Sequence, residues 1–299
     1  MDTVKGHDEQ ICGSTGESDR ERGSERTERT IGQSTRSTVI RYTSGAVYKG
    51  QVLWQDDTVP NDSPKHNAKA IPTDTAPLPQ QQRHGFGVLQ VPSYRYEGNF
   101  RYNAKEGWGK LEWTQSGDLY TGQFRQNRMH GHGTMQWSDG GFYRGEFVNG
   151  QLEGTGVKET VAGDVTKGQF VNGESVGWTT KRFASGDCHE GFYTNGQRNG
   201  YGIYHWKNGD QYKGEWVDGK EHGKGVKKWS GRGVAQSLYD GEWQQGVAHG
   251  YGVRTFCNGD KHEGLYARDL RHGYGVYTWT CGDRYVGEWR DGLMCGTVR

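Results

Sequence analysis

The sequence has few of the residues from which a conventional hydrophobic core is built. Hydrophobic residues make up only 31% of the 299-residue chain, whereas glycine occupies 50 positions. Glycine has no side chain to bury, so this composition argues against a two-layer globular core. The chain is nevertheless too aromatic to be disordered throughout, with 11 Trp, 17 Tyr and 9 Phe. A repetitive structure is therefore expected.

Long apolar runs and an excess of charge are also absent. No stretch approaches the roughly 18 apolar residues of a membrane-spanning helix, and the N-terminal MDTVKGHDEQICG lacks the apolar segment of a secretory signal. The 37 basic and 36 acidic residues nearly cancel, which argues against general binding to nucleic acid or to an anionic membrane. A charged partner would have to be bound by a local cluster.

Cysteine is scarce and follows no pairing pattern. The five cysteines are odd in number, widely spaced and free of any CxxC motif: Cys12, Cys188, Cys257, Cys281 and Cys295. This pattern is typical of reduced thiols in an intracellular protein rather than of a disulfide framework or a zinc finger. The sequence therefore predicts a cytoplasmic protein that holds no metal and needs no cofactor.

Composition divides the chain into a tail and an array. Residues 1–37 are mostly Ser, Thr, Gly, Glu and Arg, which predicts a disordered tail. A regular pattern occupies 38–299, and its first unit is interrupted at 55–82 by a segment with five of the six prolines. Because proline supplies no N–H to a β-ladder, this segment is predicted to be a loop insertion.

From residue 96 to residue 299 the chain is a repeat with a nearly constant period. Successive units are spaced 23 or 24 residues apart, with one spacing of 27, and begin at Tyr96, Tyr120, Tyr143, Thr166, His189, Tyr212, Tyr239, His262 and Tyr285. Each unit reads approximately YxGxW, then GxxxGxGxxxW, then a short turn ending in Gly-Asp. A period of this length indicates stacked supersecondary units.

Within one unit the spacing favours two short strands. Tyr212, Gly214 and Trp216 share one face of a strand because side chains alternate with a period of two, whereas Lys213 and Glu215 point the other way. Asn-Gly pairs at 149–150, 172–173, 195–196, 208–209 and 258–259 are strong hairpin-turn signals. The prediction is an all-β meander of about 19 strands, in which rings cover the bare glycine backbone of a neighbouring strand.

The units YKGEWVDGKEHGKG, YDGEWQQGVAHGYG and YVGEWRDGLMCG resemble the MORN repeat (membrane occupation and recognition nexus) over residues 39–299. The resemblance implies an elongated, single-layer antiparallel ribbon of hairpins without enzymatic activity. Departures occur at Val52, Thr160, Thr166 and His189, which stand where other units have aromatic residues. Units four to six are therefore expected to pack more loosely.

Motifs that suggest catalysis are explained by the repeat. GESVG at 173–177 matches the elbow of serine hydrolases, but its glycines stand at repeat positions and no strand-to-helix context surrounds Ser175, which is assigned to a turn. The Gly-x-Gly pairs do not continue into a nucleotide-binding motif, and kinase landmarks are missing. No catalytic residue is predicted.

Two charged or titratable clusters recur. The first is a histidine row of His84, His130, His222, His249 and His272, which is predicted to be solvated because neighbours lie two strands, or roughly 9–10 Å, apart. The second is the densest basic cluster, formed by Lys220, Lys224, Lys227 and Lys228, which could contact phosphoinositides or other anionic phospholipid.

The leading functional prediction is a scaffold that holds a partner protein, as a helix or an extended peptide, in an aromatic groove. The groove residues are predicted to be Tyr212, Trp216, Trp229, Tyr239, Trp243, Phe256, Trp279, Tyr285 and Trp289. The alternatives are a phospholipid-binding membrane tether and an accessory subunit of an enzyme or axonemal complex. The MORN resemblance implies a cytoskeletal, ciliary or flagellar, or membrane-associated location.

A homodimer is also predicted, because the last unit stops before its second strand is complete. After Gly296 only Thr297, Val298 and Arg299 remain to pair with the preceding strand. An unpaired strand edge is a template for pairing with another chain.

Overall fold

The computed structural model describes residues 34–54, 81–231 and 236–295. This part of the chain contains 21 β-strands and no helix, and all the strands belong to one antiparallel sheet. The predicted all-β fold is confirmed. The predicted disordered tail, apart from its last four residues, and most of the predicted insertion lie outside the described residues.

The first eleven strands are β1 (Ser34–Arg41), β2 (Val47–Trp54), β3 (Gln82–Val91), β4 (Tyr94–Arg101), β5 (Ala104–Trp113), β6 (Leu119–Arg125), β7 (Arg128–Gln136), β8 (Phe142–Val148), β9 (Gln151–Glu159), β10 (Val165–Val171) and β11 (Glu174–Arg182). The others are β12 (Cys188–Thr194), β13 (Gln197–His205), β14 (Gln211–Val217), β15 (Lys220–Trp229), β16 (Ser237–Gln244), β17 (Val247–Thr255), β18 (Lys261–Ala267), β19 (Leu270–Thr278), β20 (Arg284–Arg290) and β21 (Leu293–Cys295).

Each strand pairs with the strands that precede and follow it in the chain, as the meander prediction requires. The first strand crosses the predicted boundary between the tail and the array. It begins at Ser34, inside the predicted tail, because β1 pairs with β2 along its whole length, from Ser34 opposite Trp54 to Arg41 opposite Val47. Residues 35–37 of this strand are exposed, so backbone pairing and not burial holds them in the sheet. At the other end β21 pairs with β20 over three residues only, and the homodimer stays a prediction.

The core of the sheet consists of tyrosine rings, most of which lie on the glycine backbone of a neighbouring strand. Tyr212 has no exposed surface, and its hydroxyl donates a hydrogen bond to the carbonyl oxygen of Glu215 at 3.0 Å. Gly214 is paired with Gly225 on the next strand, and a Cβ atom added to Gly225 would overlap the ring of Tyr212. The same arrangement recurs under Tyr48, Tyr96, Tyr120, Tyr143 and Tyr239. The glycines therefore provide the space in which the rings are buried.

The rings also contact one another from unit to unit. Tyr212 packs edge-on against Trp216 of its own unit at 5.1 Å between ring centroids, and against Trp243 of the next unit at 5.3 Å. Aromatic pairs favour this T-shaped geometry. Repeated along the sheet, these contacts form what we call the ring ladder.

Both ends of the hairpins are bonded to the neighbouring unit. At one end are two-residue turns such as Asn149-Gly150, in which both residues have positive φ (52° and 91°). At the other end are longer turns such as 206–210, where only Gly209 has positive φ, so the Asn-Gly pairs at 208–209 and 258–259 belong to a different turn type from the other three. The carboxylate of Asp187 accepts a hydrogen bond from the backbone N–H of Lys207 in the next turn, at 2.7 Å.

The ring ladder is interrupted at one unit. Thr166 replaces the tyrosine there, and the buried Thr179 replaces the glycine on which that tyrosine would lie. The two substitutions compensate in volume, but Phe170 has no ring partner in its own unit. Two core clusters consequently end on either side of this position. His189, the other departure in this region, is fully buried and continues the ladder.

Replacing Gly225 with valine should destabilise the sheet by about 1–3 kcal/mol, because the added side chain would occupy the space of the Tyr212 ring. Lys213→Ala, on the exposed face of the adjacent strand, should change stability by less than about 0.5 kcal/mol. Chemical denaturation of both variants measures the difference. Equal losses would show that the two faces are assigned wrongly.

Because Thr166 and Thr179 compensate for each other in volume, we expect the effects of their substitution on stability to be coupled. Thr166→Tyr alone should destabilise the protein because its ring would collide with Thr179, whereas Thr166→Tyr combined with Thr179→Gly should restore the arrangement of the other units. A double-mutant cycle should give a coupling energy on the order of 1–3 kcal/mol. Additive effects of the two substitutions would contradict the proposed packing.

Candidate functional site

Alternation along the strands gives the sheet two faces with different chemistry. We call the face that carries the ring ladder the ladder face, and the other one the opposite face. In β14, for example, Tyr212 and Trp216 are buried on the ladder face, whereas Lys213 and Glu215 are exposed on the opposite face. Either face is a candidate binding surface, and the structure changes the assignment of several predicted site residues.

Most of the predicted groove residues belong to the core. Side-chain exposure is 5% or less for Tyr212, Trp216, Tyr239, Trp243, Tyr285 and Trp289. These rings pack against neighbouring rings, and the tyrosines also lie on glycine backbone, so a partner cannot contact more than their edges. Only Trp229, Phe256 and Trp279 of the predicted groove are half-buried and accessible. The groove residues predicted from the sequence are therefore corrected to these three.

The accessible rings form a row along one side of the ladder face. The row, which we call the rim, consists of Trp113, Trp137, Phe183, Trp206, Trp229, Phe256 and Trp279, all half-buried. Six rim residues donate a backbone hydrogen bond within the turn that follows them, as Trp206 does to the carbonyl oxygen of Asp210, and Trp229 is paired with Ser237 of the next strand. The positions of the rim residues are therefore fixed by backbone hydrogen bonds.

Two depressions lie beside the rim. One, of about 290 Å³, is largely apolar and is lined by Met129, Met135, Trp137, Phe147 and Leu152 with four residues of adjoining turns and strand. The other is also about 290 Å³, and its lining includes Lys181, Phe183, Tyr193, Arg198 and Asp218. The two depressions thus differ in chemistry, since the first is apolar and the second carries cations.

The opposite face carries a second aromatic row that the sequence reasoning missed. The residue between the two glycines of each Gly-x-Gly motif, or between Gly177 and Thr179 in the unit that begins at Thr166, points away from the ladder. Large rings at this position are 41–63% exposed: Phe86, Trp108, Trp178, Tyr201, Tyr251 and Tyr274. Trp178 also packs edge-on against the exposed Phe192 of the next strand, at 5.4 Å. The strand period of two was sufficient to find this row.

The predicted lipid-binding lysines do not form one cluster. Lys227 lies on the ladder face, with its ammonium group 4.6 Å from the centre of the Trp206 ring and 3.3 Å from the Glu221 carboxylate. Lys224 and Lys228 are exposed on the opposite face, and Lys220 donates a hydrogen bond to the Gln245 side chain. The cluster is corrected because alternation along β15 separates residues that are neighbours in sequence.

Two units contain a histidine in place of the ladder tyrosine. His189 and His262 are fully buried, and the Nδ1 atom of each lies within hydrogen-bond distance of a tyrosine hydroxyl, that of Tyr193 (3.0 Å) or Tyr266 (2.8 Å). The Nε2 atoms have no hydrogen-bond partner. Burial, reinforced by the positive charge of a nearby arginine, lowers the pKa of His189 to about 3 and that of His262 to about 4. Both side chains are therefore neutral at physiological pH.

Ser175 and the histidine row do not assemble into a site. Ser175 is buried in β11 and does not lie in a turn as predicted. His84, His130 and His222 are half-buried, and His249 and His272 are exposed. Within the described residues no three His, Cys, Asp or Glu side chains are grouped so that they could hold a metal ion. Nor does this part of the chain contain a helix with the length and apolarity of a membrane span.

The repeat geometry agrees with a family assignment. The MORN repeat model matches the sequence at residues 96–117, 120–142, 143–165, 189–211, 212–234, 239–261, 262–284 and 285–297. The chain belongs to the MORN repeat family. The unit that begins at Thr166, where the ring ladder is interrupted, lies between two matched repeats and is not itself matched.

Comparison with solved structures finds the TCP domain of SAS-4 (dCPAP) from Drosophila melanogaster, solved in complex with a proline-rich motif of Ana2 (dSTIL). The two chains are 8% identical, and the alignment covers 85% of this MORN protein and 90% of the SAS-4 domain with a TM-score of 0.20. A search of curated proteins finds no match.

Protonation of the buried histidines should destabilise the MORN array at acidic pH. Their pKa values are about 3 and about 4 in the folded chain and near 6.5 when unfolded, so the unfolded state binds more protons between these values. The stability that depends on the neutral histidines should be complete above about pH 6.5 and should be lost as the pH falls toward 4. Thermal denaturation as a function of pH measures this loss.

The matched variant for this experiment is taken from the other units. His189→Tyr with Tyr193→Phe, and His262→Tyr with Tyr266→Phe, reproduce the Tyr96 and Phe100 pair and should make the melting temperature less sensitive to pH in that window. His249→Gln, at an exposed position, is the control and should leave the sensitivity unchanged. If the four-substitution variant retained the pH dependence of the unmodified chain, the buried histidines would not be its cause.

Proposed function

We propose that this MORN protein is a non-enzymatic scaffold that binds a partner protein on the ladder face, along the rim. The observation that carries the proposal is the rim itself, a row of half-buried rings at one repeat position, beside two depressions of about 290 Å³ each. Trp and Tyr side chains at such positions provide large contact area and dominate binding at protein interfaces. A cytoskeletal, ciliary or membrane-associated assembly is the setting that MORN repeats imply.

The surroundings of the rim favour the scaffold over the phospholipid tether. A phospholipid tether would need the four predicted lysines on one surface, and they are divided between the faces. MORN repeats are not in general enzymatic. The rim, in contrast, offers apolar contact area at regular intervals, which suits a helix or an extended segment that crosses the strands.

The chain supplies its own conservative substitution for testing the rim. Thr160 occupies the rim position in the unit that begins at Tyr143, so Trp→Thr reproduces a residue that the array already accommodates. We expect Trp137→Thr with Trp229→Thr to abolish recovery of a partner protein in affinity purification with proximity labelling. The substitutions remove two rings from the binding surface and leave the ladder rings in place.

The matched control removes two rings from the opposite face. Thr155 lies between the glycines of its Gly-x-Gly motif, so Trp108→Thr with Tyr251→Thr is equally conservative there. This variant should retain the partner. Loss of the partner from the control but not from the rim variant would move the binding surface to the opposite face, and retention by both variants would refute the proposal. Circular dichroism melts confirm that each variant is folded.

A further inference from the structure

Five successive units place one cation over the rings of the ladder face. These cations, which we call the cation row, lie 4.1–5.0 Å from the centre of an aromatic ring: Lys181 over Phe183, Arg198 over Trp216, Lys227 over Trp206, Arg254 over Trp229 and Arg271 over Trp289. The corresponding strand position in the earlier units carries Leu89, Leu111 and Met135, and the change begins at Lys158. Two further cations lie over rings near the other end of the face, Lys105 at 4.1 Å from Tyr94 and Arg83 at 5.3 Å from Phe100, but only the cation row extends through five successive units of the described chain.

The cations come from two different strand positions but reach the same place. Lys181, Lys227 and Arg254 lie opposite the ladder residues of adjacent strands. In the units that have Tyr204 and Tyr277 at that position, an arginine from the other end of the same strand extends over the tyrosine ring. The guanidinium of Arg198 lies 4.9 Å from Tyr204, and that of Arg271 lies 5.2 Å from Tyr277. Each unit thus keeps one positive charge near the middle of the face.

These charges are incompletely neutralised by the chain. Among the described strand residues of the ladder face from β10 to β20, Glu221 is the only acid, and it is paired with Lys227 at 3.3 Å. Lys181 lies 3.8 Å from the turn residue Asp164. Arg198 and Arg271 each donate a hydrogen bond to a backbone carbonyl, which leaves their charge intact. Arg254 lies over the rings of Trp229 and Phe256, and its Nε atom has no hydrogen-bond partner.

We propose that the cation row binds an acidic, extended segment of a partner protein, which crosses the strands from the unit of Lys181 to that of Arg271. This inference rests on the proposed scaffold function and specifies the chemistry of its partner. Equivalent positions in successive units are two strands, or roughly 9–10 Å, apart. Three residues of an extended polyproline II segment cover about the same distance and complete one turn, so every third side chain points the same way. An acidic residue at every third position would therefore meet one cation in each unit.

The position of the cations favours a peptide over a membrane surface. They lie over rings of the ladder face, and the side chain of Lys227 is only 19% exposed. A depression of about 290 Å³ beside Lys181 and Arg198 admits a single extended chain. A flat bilayer surface would instead meet the exposed lysines of the opposite face, where Lys213 and Lys228 are interspersed with acids such as Glu215.

The test uses a fluorescein-labelled 18-residue peptide, six repeats of Glu-Ser-Leu, and the full-length chain. Fluorescence anisotropy should show saturable binding that weakens steeply with added salt. The peptide with Gln in place of every Glu should bind at least tenfold more weakly, because it lacks the charges that the row attracts. Equal binding of the two peptides would overturn the proposal.

Lys181→Gln with Arg254→Gln identifies the surface. In the described part of the chain neither side chain is hydrogen-bonded to the backbone, so the fold should be retained, and binding of the Glu peptide should weaken about tenfold. Lys213→Gln with Lys228→Gln makes the same change in net charge on the opposite face and should alter binding less than twofold. Equal losses in both variants would show that net charge, and not the cation row, controls binding.

Vesicles of phosphatidylcholine with and without phosphatidylinositol 4,5-bisphosphate provide the other arm. Binding to the anionic vesicles that is lost in Lys181→Gln with Arg254→Gln, without binding of the Glu peptide, would assign the row to lipid and overturn the proposal. If the rim variant loses its partner while the cation-row variant retains it, the scaffold function stands and only the acidic segment is refuted.

Discussion

The burial of a tyrosine ring on glycine backbone is the interaction on which this sheet depends. A single-layer sheet has no second layer to cover it, so the rings must be buried within the layer. Tyr212 is fully buried only because Gly225 leaves its strand bare, and the same pair recurs as Tyr96 with Gly109 and Tyr143 with Gly156. The high glycine content and the high aromatic content are thus two requirements of one arrangement.

This arrangement also makes each unit depend on its neighbours. The ring of one unit contacts an aromatic residue of the next, and turn residues such as Asp187 bond to the following turn. Stability in such an array is a sum of unit and neighbour contributions. Thr166 and Thr179 show that a unit can abandon the ring and the glycine together, at the cost of dividing the aromatic core in two. Loss of either one alone would leave a cavity or a collision.

Periodicity was sufficient to predict the strands, their pairing with chain neighbours and the two faces. It did not predict that Trp216 and Trp243 are inaccessible, because burial within a single layer depends on contacts between units that a strand pattern does not contain. The assignment of Lys227 to an outward cluster was wrong although the alternation with Gly225 already placed it with the rings. The exposed row that includes Trp108 and Tyr251 follows from the same alternation, although the sequence prediction did not include it. The hydrogen bond between His189 and Tyr193 could not be predicted from the sequence, because a histidine at the ladder position indicates only a departure from the repeat.

Three positions differ in chemistry from unit to unit while the strand pairing stays the same. These are the rim, the centre of the Gly-x-Gly motif and the ladder-face position that carries the cation row. Threonine replaces an aromatic residue at the first two, as Thr160 and Thr155, within the same unit, while Tyr143 beside them remains fully buried. The backbone that holds these positions is fixed by strand pairing and by bonds between turns. Selection for a partner can therefore act on side chains at constant spacing, which explains how one strand position carries leucine or methionine in the early units and lysine or arginine in later ones on a sheet of uniform construction.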